Sequence, residues 1–156
     1  MTMMPAKRHL SIQNYSREHH FALLLCWKIK KGLANGVSPE RIKRYTDWFY
    51  QNHLRPHFTA EEKCMYPVLG DNHTLVQQAL AEHRALENLF MAKLDGGESL
   101  SIIQDMLEKH IRFEERVLFN EIQQMATPAQ MQQMEELHQS GSFEDKTDDM
   151  FWNEHP

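Results

Sequence analysis

Two segments of the chain carry the same order of histidine, glutamate and basic residues. The first is HFTAEEK at residues 57–63, and the second is HIRFEER at residues 110–116. In each, a glutamate follows a histidine by four positions, which places both side chains on one face of a helix, one turn apart. A shuffled chain of this composition would contain the histidine, the glutamate doublet and the following base only about 0.01 times. Two copies therefore indicate a shared chemical role.

The second copy lies on a helical stripe that is predicted to be buried. A lone histidine–glutamate pair is explained equally well as a stabilising pair on a solvated face. His110 and Glu114, however, fall in line with six apolar residues: Ile103, Met106, Leu107, Phe113, Val117 and Leu118. Charged groups on a buried stripe need partners, and a metal ion is a suitable one.

Two other predicted helices each offer a further inward histidine. His83 lies between Leu80 and Leu86 on an apolar stripe. In the pair His19-His20, the residues one and two turns away favour His19 as the inward member and leave His20 at the flank. A single histidine on an apolar face is ordinarily a core residue bonded to the backbone. Four helices that each supply one favour a shared centre.

The predicted metal ligands are His19, His57, Glu61, His83, His110 and Glu114. A structural zinc ion is usually closed by four ligands, so six groups exceed what one zinc requires. Mixed imidazole and carboxylate ligands suit two iron ions, with manganese or zinc less favoured. The Glu-x-x-His spacing of ferritin-like bundles occurs only as Glu135/His138, in a short helix, which disfavours that class.

Apolar periodicity and capping signals predict the helices that must position these residues. The predicted spans are residues 10–33, 39 toward 67, 75–94, about 99–125, and a short fifth helix that ends near 139. Ser38-Pro39 and Thr127-Pro128 are cap-and-proline starts, and Pro56 is expected to kink or divide the second helix. Asp71, Asn72 and Thr74 are the candidate caps of the third helix. Short connections predict an all-α, antiparallel up-down-up-down four-helix bundle.

The composition fits one helical domain at residues 1–139 followed by an acidic, aromatic tail at 140–156. The chain has 156 residues, 41% of them hydrophobic, with six Gly and six Pro, too few for a turn-rich β fold. The tail carries five acidic residues and one Lys, hence −4 of the formal charge of −5. It also contains Phe143, Phe151 and Trp152. We expect this arm to dock onto the bundle or onto a neighbouring molecule.

Charge and apolar patterning exclude several partners. No basic run is long enough for a nucleic-acid arm, and the longest apolar run is far shorter than a membrane span. Cys26 and Cys64 form no CxxC pair, so we expect reduced thiols and a cytoplasmic location.

Other polar and aromatic residues have more than one interpretation. Glu87 is a possible seventh ligand, whereas Glu62 and Glu115 are placed beside the ligands or at the surface. His53 would share the face of His57 in a continuous helix. We expect Tyr66 to pack in the core, although a role at bound oxygen or as a proton donor is the alternative. The remaining expectations are a surface position for His9, His73, His138 and His155, and a core position for Phe58, Phe113, Phe119, Trp27 and Trp48.

The four motifs together resemble the hemerythrin-like (HHE cation-binding) domain. They are REHH at 17–20, HFTAEE at 57–62, EHRAL at 82–86 and HIRFEER at 110–116. The resemblance spans roughly residues 10–124 and implies a four-helix bundle around a non-haem di-iron site, with Glu61 and Glu114 as bridging carboxylates. Oxygen-carrying hemerythrins have a histidine where this chain has Glu87, and an aspartate bridge one residue further along than Glu114. This chain is thus more similar to the four-histidine, two-glutamate branch associated with oxygen or nitric oxide sensing, iron handling and repair.

The resemblance and the ligand set imply a di-iron protein that binds or senses oxygen, nitric oxide or redox state. The expected partner is thus a small diatomic ligand, with a homodimer as a further possibility. One alternative is a di-iron redox enzyme that turns over peroxide or nitric oxide or repairs iron clusters. Another is a helical interaction module whose histidines are structural. No separate set of acid, base and nucleophile is present, which ranks the enzyme lower.

Overall fold

The computed structural model describes residues 7–93, 95–138 and 141–154, and within them it contains helices and no β-strand. The prediction of an all-α fold is confirmed. The α-helices are α1 (Leu10–Ala34), α2 (Pro39–Phe49), α3 (Arg55–Ala60), α4 (Thr74–Met91), α5 (Glu98–Phe113), α6 (Phe119–Met125) and α7 (Pro128–Leu137). Single π-helical turns occupy Tyr50–Leu54, Glu61–Met65 and Glu114–Leu118, and 3₁₀ turns occupy Tyr66–Val68 and Phe151–Asn153.

The π turns join the shorter α-helices into longer helical runs. Residues 39–68 form one run and residues 98–125 another. The interruption expected at Pro56 takes the form of the π turn that precedes it, where the Arg55 N–H donates to the Tyr50 carbonyl. This wider turn accommodates a residue that has no N–H to donate and whose ring crowds the preceding turn.

Histidine side chains cap two helices at their N-termini. Nδ1 of His9 accepts from the Ser11 N–H at 3.1 Å, and Nδ1 of His73 accepts from the Leu75 N–H at 3.2 Å. The expected caps of α4 were wrong: Asp71 and Asn72 precede the cap, and Thr74 is the first helical residue. An imidazole nitrogen with a free lone pair satisfies the same orphan N–H groups that a carboxylate would.

One predicted helix end differs from the structure, and several other predictions concern residues that the structure does not describe. Helix α4 ends at Met91, three residues before the predicted end. Leu94, Gln139, Ser140 and His155 lie outside the described residues, so the predictions made for them stay predictions.

Two apolar clusters form the core, and every long helical run passes from one to the other. Cluster I includes Ile29, Ile42, Phe58, Leu86, Leu107 and Phe151. Cluster II includes Ile12, Tyr15, Tyr66, Val76, Leu118 and Ile122. Along α1 and α4 the order is cluster II and then cluster I, and along residues 39–68 and 98–125 it is reversed. The predicted ligands stand at the crossing points.

The C-terminal arm (residues 141–154) is packed onto the bundle. Phe151 is fully buried, and its ring lies so close to Gly32 that a Cβ there would come within 2.7 Å of it. The buried Lys28 ammonium donates to the Tyr45 hydroxyl at 2.9 Å and to the Asp145 carboxylate at 2.5 Å. It also lies 3.9 Å from the ring centre of Trp152. Of the two docking partners that the sequence left open, the arm contacts its own bundle. No helix among the described residues has the length and apolar character needed to cross a membrane.

Candidate metal centre

The six predicted ligands converge on one buried site. Each is 3% exposed or less, and they come from α1, α3, α4, α5 and the first residues of two π turns. Their nitrogen and oxygen atoms form two groups, and within each group all ligand atoms lie within 4.8 Å of one another. One group is His19, His57, Glu61 and Glu114; the other is Glu61, His83, His110 and Glu114. Two histidines belong to each group, and both glutamates belong to both.

The Glu61 carboxylate spans the two groups. Its Oε2 lies 3.1 Å from Nε2 of His57, and its Oε1 lies 3.1 Å from Nε2 of His83. Each oxygen therefore faces a different group, which is the arrangement of a carboxylate able to bridge two cations. In the second group, the Nε2 atoms of His83 and His110 are 3.1 Å apart. That spacing fits two nitrogens bound to one ion at about 2.1 Å and roughly a right angle.

The Glu114 carboxylate is held differently, because a tyrosine takes one of its oxygens. Oε1 lies 3.2 Å from Nε2 of His19 and 3.0 Å from Nε2 of His110. Oε2 accepts a hydrogen bond of 2.7 Å from the Tyr66 hydroxyl, which also lies 3.1 Å from Nε2 of His83. The expected core position of Tyr66 is confirmed. Its ring belongs to the core, but its hydroxyl lies at the site.

Unpartnered buried atoms show that the residues fit a cation. Among the described residues, the buried side-chain atoms without a hydrogen bond are Nε2 of His57, both oxygens of Glu61 and the Tyr15 hydroxyl. Buried polar atoms are ordinarily hydrogen-bonded, since an unpaired one costs about 1–3 kcal/mol. Three of these four atoms are of the kinds that bind metals: Nε2 of His57 and Oε2 of Glu61 face one group, and Oε1 of Glu61 faces the other. Cations in the two groups would satisfy all three.

Both shared glutamates begin a π turn, so the sequence repeat is also a structural repeat. The turns Glu61–Met65 and Glu114–Leu118 are separated by the same 53 residues as the motifs. Single π turns inside α-helices are rare and are frequent at functional sites, because the extra residue changes the direction of the side chains. No sequence signal that we used predicts these turns.

Each of the four predicted ligand histidines is hydrogen-bonded through Nδ1 to a glutamate of another helical run: the run before its own for His57, His83 and His110, and the last run for His19. These glutamates form a carboxylate ring (Glu18, Glu62, Glu82, Glu115) around the site. The Nδ1–H groups donate as follows: His57 to Glu18 at 2.7 Å, His83 to Glu62 at 2.8 Å, His110 to Glu82 at 2.7 Å, and His19 to Glu115 at 2.7 Å. A bond at Nδ1 fixes the tautomer that presents the Nε2 lone pair to a metal.

The sequence reasoning did not single out Glu18 and Glu82. Each stands directly before a predicted ligand, but it contacts the histidine of the next helical run and not its own neighbour. Glu62, which directly follows Glu61, likewise contacts the histidine of the next run, His83. Glu115, which follows Glu114 in the last run, contacts His19 in the first. The available signal was therefore that each of the four helical runs has one predicted ligand with a further glutamate directly beside it in sequence.

Titration behaviour shows how strongly the metal-free site favours positive charge. Burial alone would lower the pKa of His57, but the Glu61 charge and the bond to Glu18 raise that pKa to about 9. Burial would likewise lower the pKa of His110, but the Glu114 charge outweighs it and raises that pKa to about 10. Burial would raise the pKa of Glu61, yet the surrounding imidazoles hold that pKa well below its usual range. These carboxylates therefore stabilise bound cations, whether protons or metal ions.

Several other candidates lie outside the two ligand groups. His20 is exposed while His19 is buried, as the periodicity predicted. Glu87 pairs with Arg84 at 2.8 Å and is a member of neither group. His53 lies in a π turn, with its ring 4.7 Å from that of Phe143.

Three residues differ from their expected surroundings. His138, expected at the surface, is half-buried and donates from Nε2 to Glu18 at 2.7 Å. Its ring packs 4.6 Å from that of Tyr15. Trp27 and Val117, expected in the core, are 48% and 44% exposed. At these two positions the apolar face read from the sequence extends beyond the part of the helix surface that the core covers.

Comparison with known families agrees with the site. The hemerythrin HHE cation binding domain matches residues 10–98. The chain belongs to the hemerythrin HHE cation-binding domain family. The matched range holds His19, His57, Glu61 and His83. The other two predicted ligands, His110 and Glu114, lie beyond it in the second copy of the sequence repeat. No curated protein and no solved structure matches the chain.

Proposed function

We propose that this HHE-family protein holds two non-haem iron ions and binds a small diatomic ligand, oxygen or nitric oxide, or senses redox state through them. One ion would lie in each ligand group, with His19 and His57 on one and His83 and His110 on the other. Glu61 and Glu114 would bridge the two ions. The observation that carries the proposal is that both carboxylates belong to both groups.

The number of ligands supports iron with open coordination positions. Two imidazoles and two shared carboxylates give each ion four protein ligands. Four would close a tetrahedral zinc ion, whereas iron with nitrogen and oxygen ligands commonly takes more and keeps positions for an exogenous ligand. A bound iron pair supplies one-electron redox chemistry and those open positions.

The chain's own residues would orient and enclose the bound ligand. Stacked rings shield the imidazoles: Phe119 lies 5.1 Å from His19, and Phe58 lies 3.9 Å from His83. The Tyr66 hydroxyl, which donates to Glu114, stands beside the second group, and a bound ligand would compete for or share that donor. Phe119, which follows Glu114 by the same five positions as Tyr66 follows Glu61, has no hydroxyl. The two metal positions would therefore differ.

The proposal includes an antiparallel up-down-up-down arrangement of the four long helical runs. The alternating order of apolar clusters I and II along successive runs supports it. This arrangement places one ligand-bearing segment of each run at the same level of the bundle, as a shared centre requires.

Metal analysis and absorption spectroscopy test the proposal. Protein purified aerobically without chelator should contain about two irons per chain and show charge-transfer bands of an oxo-bridged ferric pair. His110→Ala and Glu114→Ala should each lower the iron content, whereas Glu87→Ala should not. Fewer than about one iron or manganese per chain, or stoichiometric zinc without these bands, would refute the di-iron assignment.

A catalytic role is the second candidate, and the Tyr66 hydroxyl is the observation that favours it. A buried phenol beside the site can donate a proton to a reacting ligand. Steady turnover of peroxide or nitric oxide by the iron-loaded protein, lost in Tyr66→Phe, would establish an enzyme. Stoichiometric binding of the ligand without turnover would refute the catalytic role and agree with the proposed binding function.

A further inference from the structure

A cavity of about 330 Å³ lies against the outer side of the metal centre. It is bounded by α1, by residues 49–57, by the end of α7 and by residues 141–143 of the C-terminal arm. Glu18 and His57 both line it, so the cavity adjoins one predicted metal ligand and the carboxylate hydrogen-bonded to it. Its volume is at the lower end of the range for small-molecule sites.

Flat aromatic surfaces form one part of its lining. Phe21, Phe49 and Phe143 all line the cavity. The rings of Phe21 and Phe143 are stacked at 4.2 Å, and that of Phe49 lies 6.1 Å from Phe143. Such a wall favours a planar ligand, which can contact the rings by offset or edge-on stacking.

Unpaired polar groups form the other part. Within the described part of the chain, the Arg17 guanidinium makes no hydrogen bond or ion pair. His53 makes ring contacts and lies within the electrostatic influence of Glu18 and Asp145, but it has no hydrogen bond there. The Glu18 carboxylate, in contrast, already accepts from both His57 and His138. The lining therefore offers free donors but a carboxylate that is already hydrogen-bonded, which favours an anionic over a cationic ligand.

We infer that this cavity binds a planar aromatic anion, one or two rings bearing a carboxylate or a similar group. The rings would lie against Phe143 and Phe21, and the anionic group would meet Arg17. Bound there, the ligand covers the solvent-facing side of the Glu18–His57 pair. The site thus gives the protein a second, organic ligand next to the metal centre, and its occupancy does not depend on which metal is bound.

Calorimetric titration of the protein as purified, with naphthalene-2-carboxylate as the probe, tests this inference. We expect one site per chain. Naphthalene-2-carboxamide has the same shape without the charge and should bind about 5-fold more weakly or worse, because it lacks the charge-assisted bond. Arg17→Gln should remove most of that difference between the two compounds. Phe143→Leu, which keeps apolar volume but loses the flat ring, should weaken both about 5- to 10-fold.

A second aromatic and cationic pair on the same helix provides the control. Trp27 is 48% exposed and lies under the Lys31 ammonium at 4.8 Å, outside the cavity. Trp27→Leu and Lys31→Gln should leave the affinity unchanged. Absence of saturable binding at millimolar probe, equal affinity for carboxylate and carboxamide, or equal weakening by the Trp27 and Lys31 variants would each overturn the inference. Iron content is measured separately, so this result is independent of the di-iron assignment.

Discussion

If the proposed di-iron site forms, replacing Glu82 by Gln should lower the affinity of the metal position proposed at His83 and His110 more than that of the position proposed at His19 and His57. Glu82 accepts from the His110 Nδ1–H at 2.7 Å, and His110 is 1% exposed, so no water can take over the bond. Glutamine can still accept this bond but removes the negative charge that raises the basicity of the imidazole. Loss of such a supporting carboxylate typically costs 10- to 100-fold in metal affinity, or about 1.4–2.7 kcal/mol.

Anaerobic competition with a chelator of known iron affinity measures the two binding steps. Glu82→Gln should release one ion at 10- to 100-fold lower chelator activity. The affinity for the other ion should change less. The matched control is Glu87→Gln on the same helix, whose carboxylate pairs with Arg84 at the surface. The control should stay within about 2-fold. If the two variants lose the same amount of iron at the same chelator activity, the carboxylate ring has no role in metal binding.

Three further predictions concern stability. Tyr66→Phe keeps the packed ring but removes a buried bond to the shared carboxylate, so the metal-free protein should lose about 1–2 kcal/mol in urea unfolding; no change would contradict the bond. Asp145→Asn leaves the Lys28 ammonium buried without its carboxylate and should cost about 2 kcal/mol in the same assay, whereas Asp148→Asn, at an exposed pair, should cost under about 0.5 kcal/mol. The pKa of His57 is raised above its unfolded value, so its contribution in the metal-free protein is complete below pH 6.5 and is lost as the pH rises through about 9. The melting temperature of the metal-free protein should therefore fall across that interval, and a rise would contradict the assignment.

The positions of the ligands followed from the sequence because they depend on local geometry. Histidine and glutamate four residues apart share a helical face whatever the rest of the fold does, and apolar neighbours identify which face is buried. The choice of His19 over His20 needed nothing more. A lone histidine–glutamate pair could equally be a stabilising pair on a solvated face. The duplication of the motif argued against that explanation, since a surface pair has no reason to occur twice with the same flanking residues.

The supporting contacts could not be predicted in the same way, because they join different helices. Glu18 lies about 100° from His19 around α1, and whether it reaches His57 depends on how two helices are rotated against each other. His138, which directly follows α7, reaches Glu18 because α7 packs against α1. The π turns depend on hydrogen-bond shifts inside a helix, for which residue type carries no strong signal.

The C-terminal arm differs from the bundle in charge but closes its core. Three of its acidic residues, Asp145, Asp149 and Glu154, pair with Lys28 and Arg41. Its Phe151 ring fills the space beside Gly32. A chain shortened to residue 140 would expose that cleft and leave a buried ammonium with only the Tyr45 hydroxyl. Expression of such a shortened chain should yield an aggregation-prone protein, and a purification tag at this end should be separated from Trp152 by a flexible linker.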